Sequence, residues 1–156
     1  MEIGKVNIDL ATIYRPLNNF FLNPFMEYLR KRYICNNQIR KGINGVRETV
    51  DYIKNGKSIA LMIDQRVTQG IKANFFKNKA FTTTIPAQFV KKFNCKIVPV
   101  YIERIKDIDF ELTISQPIEY TTNNSIEDIT LDLNSLLEKM ILKKPDQWIW
   151  SHNRWK

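Results

Sequence analysis

At 156 residues, 44% of them apolar, the chain is long enough to bury a core without metal or disulfide staples, and it reads as a single domain spanning residues 1–156. Five glycines and six prolines exclude collagen and low-complexity sequence, and no run approaches the roughly 18 apolar residues that cross a bilayer. Lys and Arg (24) outnumber Asp and Glu (16), and the resulting charge of +8 suits nucleic acid, anionic lipid headgroups or an acidic carrier protein alike.

Ile8 to Tyr14 is expected as a short strand closed by Arg15-Pro16, because the residue before proline is driven away from helix. Leu17 to Arg32 reads as helix, interrupted or restarted at Pro24. Val46, Val50 and Ile53 recur at helical spacing, and Asn55-Gly56 supplies a stop. Ser58 to Ile63 is almost wholly apolar and suits a strand buried on both faces, as in a parallel sheet. Asp64 to Thr83 reads as a long polar loop.

Ile85, Phe89, Val90 and Phe93 then predict a helix, with Thr83 or Thr84 as N-cap, Pro86 in its first turn and Lys91-Lys92 near its negative end. A second buried run is expected from Ile97 to Ile102, where Pro99 costs one ladder bond. Ile108, Phe110, Leu112 and Ile114 alternate with polar residues, the pattern of a half-exposed strand. Ser125-Ile-Glu-Asp128 opens a last helix in the manner of a capping box, and Pro145 lies beyond its end. Strands alternating with helices predict an α/β fold, a mostly parallel sheet with flanking helices.

Ligands of open α/β sheets bind beyond the carboxyl ends of the strands. That rule selects Arg15, directly after the first strand, and Asp64-Gln65-Arg66, directly after the buried run. Guanidiniums there could hold phosphate or carboxylate by forked hydrogen bonds, with the carboxylate orienting one of them. Equally, Asp64 and Arg66 could be loop residues that cap the next turn. The string Trp148 to Lys156 is the densest aromatic and basic cluster, suited to closing a core edge, stacking on bases or packing against headgroups. Cys35, Cys95 and the single histidine, His152, cannot make a tetrahedral zinc site, and no phosphate-cradling Gly loop or Ser-His-Asp order is present.

Five ordered segments resemble the late acyltransferases of lipid A biosynthesis, the lauroyl and myristoyl transferases of the lysophospholipid acyltransferase superfamily. They are Ile13-Tyr-Arg-Pro-Leu17 with Asn19; Ile63-Asp-Gln-Arg66 with Gly70; Phe75-Phe76 leading to Ala80-Phe-Thr-Thr-Thr84; Ile97-Val-Pro-Val100; and Pro145-Asp-Gln-Trp148 running into Trp150-Ser-His-Asn-Arg-Trp-Lys156. The resemblance implies transfer of a fatty acyl chain from an acyl carrier protein thioester to a phosphorylated glycolipid, the lipid A precursor. The place would be the cytoplasmic face of the bacterial inner membrane. No cofactor, metal or nucleic acid is implied.

Carried across by the resemblance, Arg15, Asp64, Gln65 and Arg66 fall in substrate-binding blocks. Thr82, Thr83 and Thr84 open the following helix, whose free N–H groups favour an anion, and with His152 and Arg154 of the terminal block they too are expected to bind substrate. The family's catalytic motif is a His followed five positions later by Glu or Asp, upstream of the Tyr-Arg-Pro segment. The His acts as general base on the acceptor hydroxyl and the carboxylate orients it. Glu2 sits near the carboxylate's place, but the histidine is absent, and His152 does not replace it. The chain is therefore expected to be the C-terminal portion of a longer enzyme, an incomplete glycerolipid-acyltransferase-like domain. It would act with a separately encoded N-terminal fragment, or be an inactive remnant that binds anionic lipid or carrier protein.

Overall fold

The computed structural model describes residues 8–68 and 70–156, apart from the side chain of Ile43. They form two compact units that divide between Met62 and Ile63.

The first unit contains β1 (Leu10–Tyr14), α1 (Asn23–Tyr33), β2 (Asn37–Arg40), α2 (Ile43–Lys54) and β3 (Ser58–Ala60). Its strands are parallel in the order β2-β1-β3, with Tyr14 opposite Arg40 and Leu10 opposite Ser58. Parallel neighbours cannot be joined by a tight turn, so α1 and α2 serve as the crossovers. Helix α1 starts six residues later than the apolar spacing suggests. The Asn19 carboxamide oxygen accepts from the backbone N–H groups of Phe21 (3.0 Å) and Leu22 (3.2 Å), holding a turn there instead. Pro24 then falls in the first helical turn, where a missing N–H costs nothing.

Strand β2 was not anticipated, because in Asn37-Gln-Ile-Arg40 only Ile39 is buried. Helix α2 closes directly onto it: a Cβ on Gly45 would collide with the Arg40 carbonyl oxygen, so only glycine fits. Ala11, Ile39 and Thr49 are the buried centre, and the Thr49 hydroxyl donates to the Gly45 carbonyl at 2.7 Å.

At the amino ends of the three strands Asp9 accepts from Tyr52 (2.7 Å) and Asn37 (3.1 Å) and pairs with Lys57 at 2.8 Å. Lys57, then Tyr52, hold the Asp9 carboxyl below its ordinary value, while burial and the bond to Asp9 push the Tyr52 phenol up to about 12. The strand expected from Ser58 to Ile63 shrinks to three residues. Met62 is 73% exposed, so this run is not buried on both faces.

The second unit contains β4 (Ile71–Phe75), β5 (Asn78–Thr82), α3 (Ile85–Phe93), β6 (Val100–Lys106), β7 (Asp109–Ile114), α4 (Ile126–Lys143) and a short 3₁₀ turn, Pro145–Gln147. The polar loop expected from Asp64 to Thr83 is instead largely an antiparallel hairpin, β4 against β5. The run from Ile97 to Ile102 is not a strand buried in a parallel sheet either. From Val100 it pairs antiparallel with β7, and Val98, Val100 and Ile102 are about half exposed.

Helices α3 and α4 pack through Ala87, Val90, Ile129 and Leu133. Helix α4 starts on the expected capping box, in which Ser125 Oγ accepts from the Asp128 N–H at 3.0 Å and the Asp128 carboxylate accepts in turn from the Ser125 N–H. A second cluster, Phe75, Ala80 and Ile141, is covered by Trp148 and Trp155. The architecture is α/β, with a parallel three-stranded sheet in one unit and small antiparallel sheets in the other. Among the described residues no helix is long and apolar enough to cross a membrane.

Candidate functional site

In the first unit Arg15 leaves β1 at its carboxyl end and is exposed. Beyond the strands the Lys41 N–H bonds to the Tyr14 carbonyl at 2.8 Å, which continues the β1–β2 pairing by one residue. Arg15, Arg40 and Lys41 thereby line one open groove of about 450 Å³, with Pro16, Leu17 and Asn18 on its rim. Behind β1, the Tyr14 hydroxyl donates to Glu27 Oε1 at 2.8 Å, and Asn23 Nδ2 donates to the same oxygen at 2.7 Å. Those two bonds hold the Glu27 carboxyl below its ordinary value, while burial, followed by Glu27, raises that of the Tyr14 phenol.

In the second unit the terminal string folds back and fixes both remaining blocks. Trp155 stacks on Phe75 with ring centroids 5.6 Å apart, and its indole N–H donates to the Phe75 carbonyl at 3.1 Å. Trp148 meets Phe75 edge-on at 5.9 Å. Of the roles open to this string, core closure is what Trp148 and Trp155 perform. Gln147 adds a second anchor: its carboxamide accepts from the Arg104 N–H at 2.8 Å and donates to the Arg104 carbonyl at 2.9 Å, imitating a strand neighbour for β6.

Against the Phe75 ring of this aromatic cluster lies a buried guanidinium. Arg154 is 0% exposed and sits 4.1 Å from the centroid of the Phe75 ring. Its Nη2 donates to Asn134 Oδ1 (2.9 Å) and Thr82 Oγ1 (3.3 Å), while Nε and Nη1 find no hydrogen-bond partner among the described residues. Burial pulls its pKa below the ordinary value, against the carboxylates of Asp64 and Glu138. Two expected site residues, Arg154 and Thr82, are thus in contact, and the field of Asp64 reaches Arg154 as well.

Gly70 permits the same closure at the start of β4, since a Cβ there would strike the Thr82 carbonyl oxygen. His152 is exposed, and its Nε2 accepts from the Arg66 backbone N–H at 3.0 Å, tying the terminal block to Asp64-Gln65-Arg66. Thr83 Oγ1 accepts from the Ile85 N–H at 3.3 Å and Thr84 Oγ1 from Gln88 Nε2 at 2.9 Å. Thr84 is the N-cap residue by position, yet neither hydroxyl makes the expected side-chain cap. Glu2 lies outside the described residues.

Sequence reasoning missed Asn134, which is fully buried and also donates to the Asn74 carbonyl at 2.8 Å and to Thr82 Oγ1 at 3.2 Å. A signal existed: Asn134 stands eight residues after Ile126, on the inward stripe of α4, where an unpaired carboxamide would be costly. Arg40 and Lys41 were missed because β2 was. Among the described residues no three His, Cys, Asp or Glu side chains gather where they could hold a metal ion. No curated protein matches the chain. Over residues 1–156 the sequence matches the model of the bacterial lipid A biosynthesis acyltransferases, and the chain belongs to that family.

Proposed function

We propose that the chain takes part in moving a fatty acyl group from an acyl carrier protein thioester to a hydroxyl of a phosphorylated lipid A precursor, at the cytoplasmic face of the inner membrane. The observation that carries this reading is the family match over residues 1–156. In the reaction the acceptor oxygen bonds to the thioester carbonyl carbon as its proton passes to a general base, and the carbon–sulfur bond then breaks. The departing thiolate takes up the proton.

His152 is the sole histidine, and its Nε2 is engaged by the Arg66 N–H. The base is therefore assigned to the family's histidine, which is not among these 156 residues, and Glu2 to the carboxylate that orients it. Arg15, Asp64, Gln65, Arg66, Thr83 and Thr84 bind substrate, while Thr82, His152 and Arg154 position that machinery from behind.

The test mixes or co-expresses the 156-residue chain with a histidine-bearing N-terminal segment of a family member and follows labelled acyl transfer. The chain alone should run about 10²–10⁴-fold slower than the pair, the usual worth of a general base. Arg15→Ala and Asp64→Ala should each depress the paired activity. No transfer by any pair, while a fused full-length relative works in the same assay, would establish the inactive remnant instead.

A further inference from the structure

We infer that His152 is a pH-dependent latch on the Asp64-Gln65-Arg66 loop: the neutral imidazole ties the loop to the C-terminal block, and the imidazolium lets it go. The contact behind this is a single hydrogen bond between residues 86 positions apart, in which His152 Nε2 accepts from the Arg66 backbone N–H at 3.0 Å. An accepting Nε2 puts the one proton of the neutral ring on Nδ1. Protonation places a second N–H where the lone pair was, so two donors face each other and the bond is lost. Imidazole is the side chain whose ordinary charge change falls between about pH 5 and 8.

The two halves of the contact are unequally held. On the C-terminal side Arg154 is buried and bonded to Asn134 and Thr82, Trp155 stacks on Phe75, and the His152 N–H donates to the Ile149 carbonyl at 3.1 Å. Residues 64–68, by contrast, belong to no helix or strand. Losing the bond therefore frees the loop and leaves the block in place. The charged groups around the contact are Asp64 and Arg66 on the loop, Arg154 and Lys156 on the block, and Glu138 on α4, whose field reaches Arg154 together with that of Asp64. The carboxylates favour the imidazolium and the cations oppose it, so together they set where the switch falls without reversing its direction.

The loop carries the substrate-binding residues of the proposed function, and the consequence for substrate rests on that reading. A loop held for a fraction of the time binds with an affinity reduced by that fraction, so acid should raise KM. The latch itself is measured without substrate or turnover. Absence of acyl transfer would therefore leave it standing, and its failure would leave acyl transfer to be judged by its own assay.

The experiment follows exchange of backbone amides with water by NMR in the purified 156-residue chain, at about pH 5.5 and about pH 8, with each rate normalised to its intrinsic value at that pH. Protection of the Arg66 amide should fall about fivefold on acidification, the worth of one net hydrogen bond. The Arg104 amide is the internal control, because Gln147 holds it at 2.8 Å through a carboxamide oxygen that does not titrate; its protection should stay level. At the higher pH the imidazole ¹⁵N shifts of His152 should place the proton on Nδ1.

His152→Gln supplies an acceptor at either pH and should abolish the difference, while His152→Ala should show the lower protection throughout. Where paired acyl transfer is measurable, KM should rise about fivefold from the higher to the lower pH in the parent and stay level in His152→Gln. Unfolding midpoints check the variants; should His152→Ala be too unstable, the parent and His152→Gln decide. Equal Arg66 protection at the two pH values, a matching loss at Arg104, a pH difference that persists in His152→Gln, or a neutral ring protonated on Nε2 would each overturn the latch.

Discussion

Arg154 gives up its hydration entirely, and what it receives in return is geometric: a flat aromatic face, one carboxamide oxygen and one hydroxyl oxygen. The two oxygens belong to Asn134 on α4 and Thr82 at the end of β5, so a single side chain near the C-terminus clamps helix to hairpin. Thr82 is fully used by this arrangement, donating to the Ala80 carbonyl and accepting from both Asn134 and Arg154. Removing the guanidinium strands buried acceptors, which typically costs about 2–4 kcal/mol. Arg154→Met should therefore lower the urea midpoint read by tryptophan fluorescence by an amount of that order. Arg154→Lys should not rescue it, because an ammonium cannot lie flat on the Phe75 ring as the guanidinium does. An Arg154→Lys protein as stable as the parent would mean that charge, rather than planar shape, is what the cluster requires.

The β4–β5 hairpin shows where a sequence stops advertising its own structure. Its two turn residues, Phe76 and Lys77, both have positive φ (48° and 65°), the geometry of a two-residue hairpin turn for which Asn-Gly is the usual signal. Neither residue favours that conformation. Tertiary contacts hold it: Glu138 on α4 accepts from the Phe76 N–H at 2.7 Å, and the Phe76 ring packs on Phe75 at 4.8 Å. Lys77 is exposed and has no such compensation, so Lys77→Gly should stabilise the protein by about 1 kcal/mol, the order of the left-handed strain on a residue bearing a Cβ. A destabilised Lys77→Gly in a thermal melt would show that the strain has been relieved elsewhere.

Elements with a start or stop signal in their own residues could be read beforehand. Helices α2 and α4 carry a local stop or start, Asn55-Gly56 and Ser125 with Asp128, and were legible. Strand β2 and the β4–β5 hairpin depend on partners distant in sequence and were not. Of the site, Arg15 and Asp64-Gln65-Arg66 stood out through strand ends and family blocks. Asn134 and the pairing of Arg15 with Arg40 and Lys41 needed the register of the fold.

For the molecule as a whole, the charge of +8 first suited three kinds of partner, and family membership narrows them to those of lipid chemistry. Two surface features bear on whether the chain binds a bilayer. One is the net charge, which an anionic leaflet attracts with about 1 kcal/mol for each Lys or Arg held near it. The other is apolar exposure, with Phe20 at 82%, Phe21 at 88% and Ile108 at 88%. They differ in their response to salt. Raising ionic strength from about 0.1 M to about 1 M shortens the screening length from about 10 Å to about 3 Å, which weakens charge attraction and leaves apolar insertion intact.

The groove cations and the basic last turn of α1 (Arg30, Lys31, Arg32) are matched by few neighbouring acids, which favours charge as the leading contribution. The chain should therefore sediment with phosphatidylglycerol vesicles at the lower salt, dissociate at the higher, and ignore phosphatidylcholine throughout. Binding to neutral vesicles that survives high salt would assign the association to the exposed aromatic residues instead, and the excess of basic side chains would then have to be explained by the substrates alone.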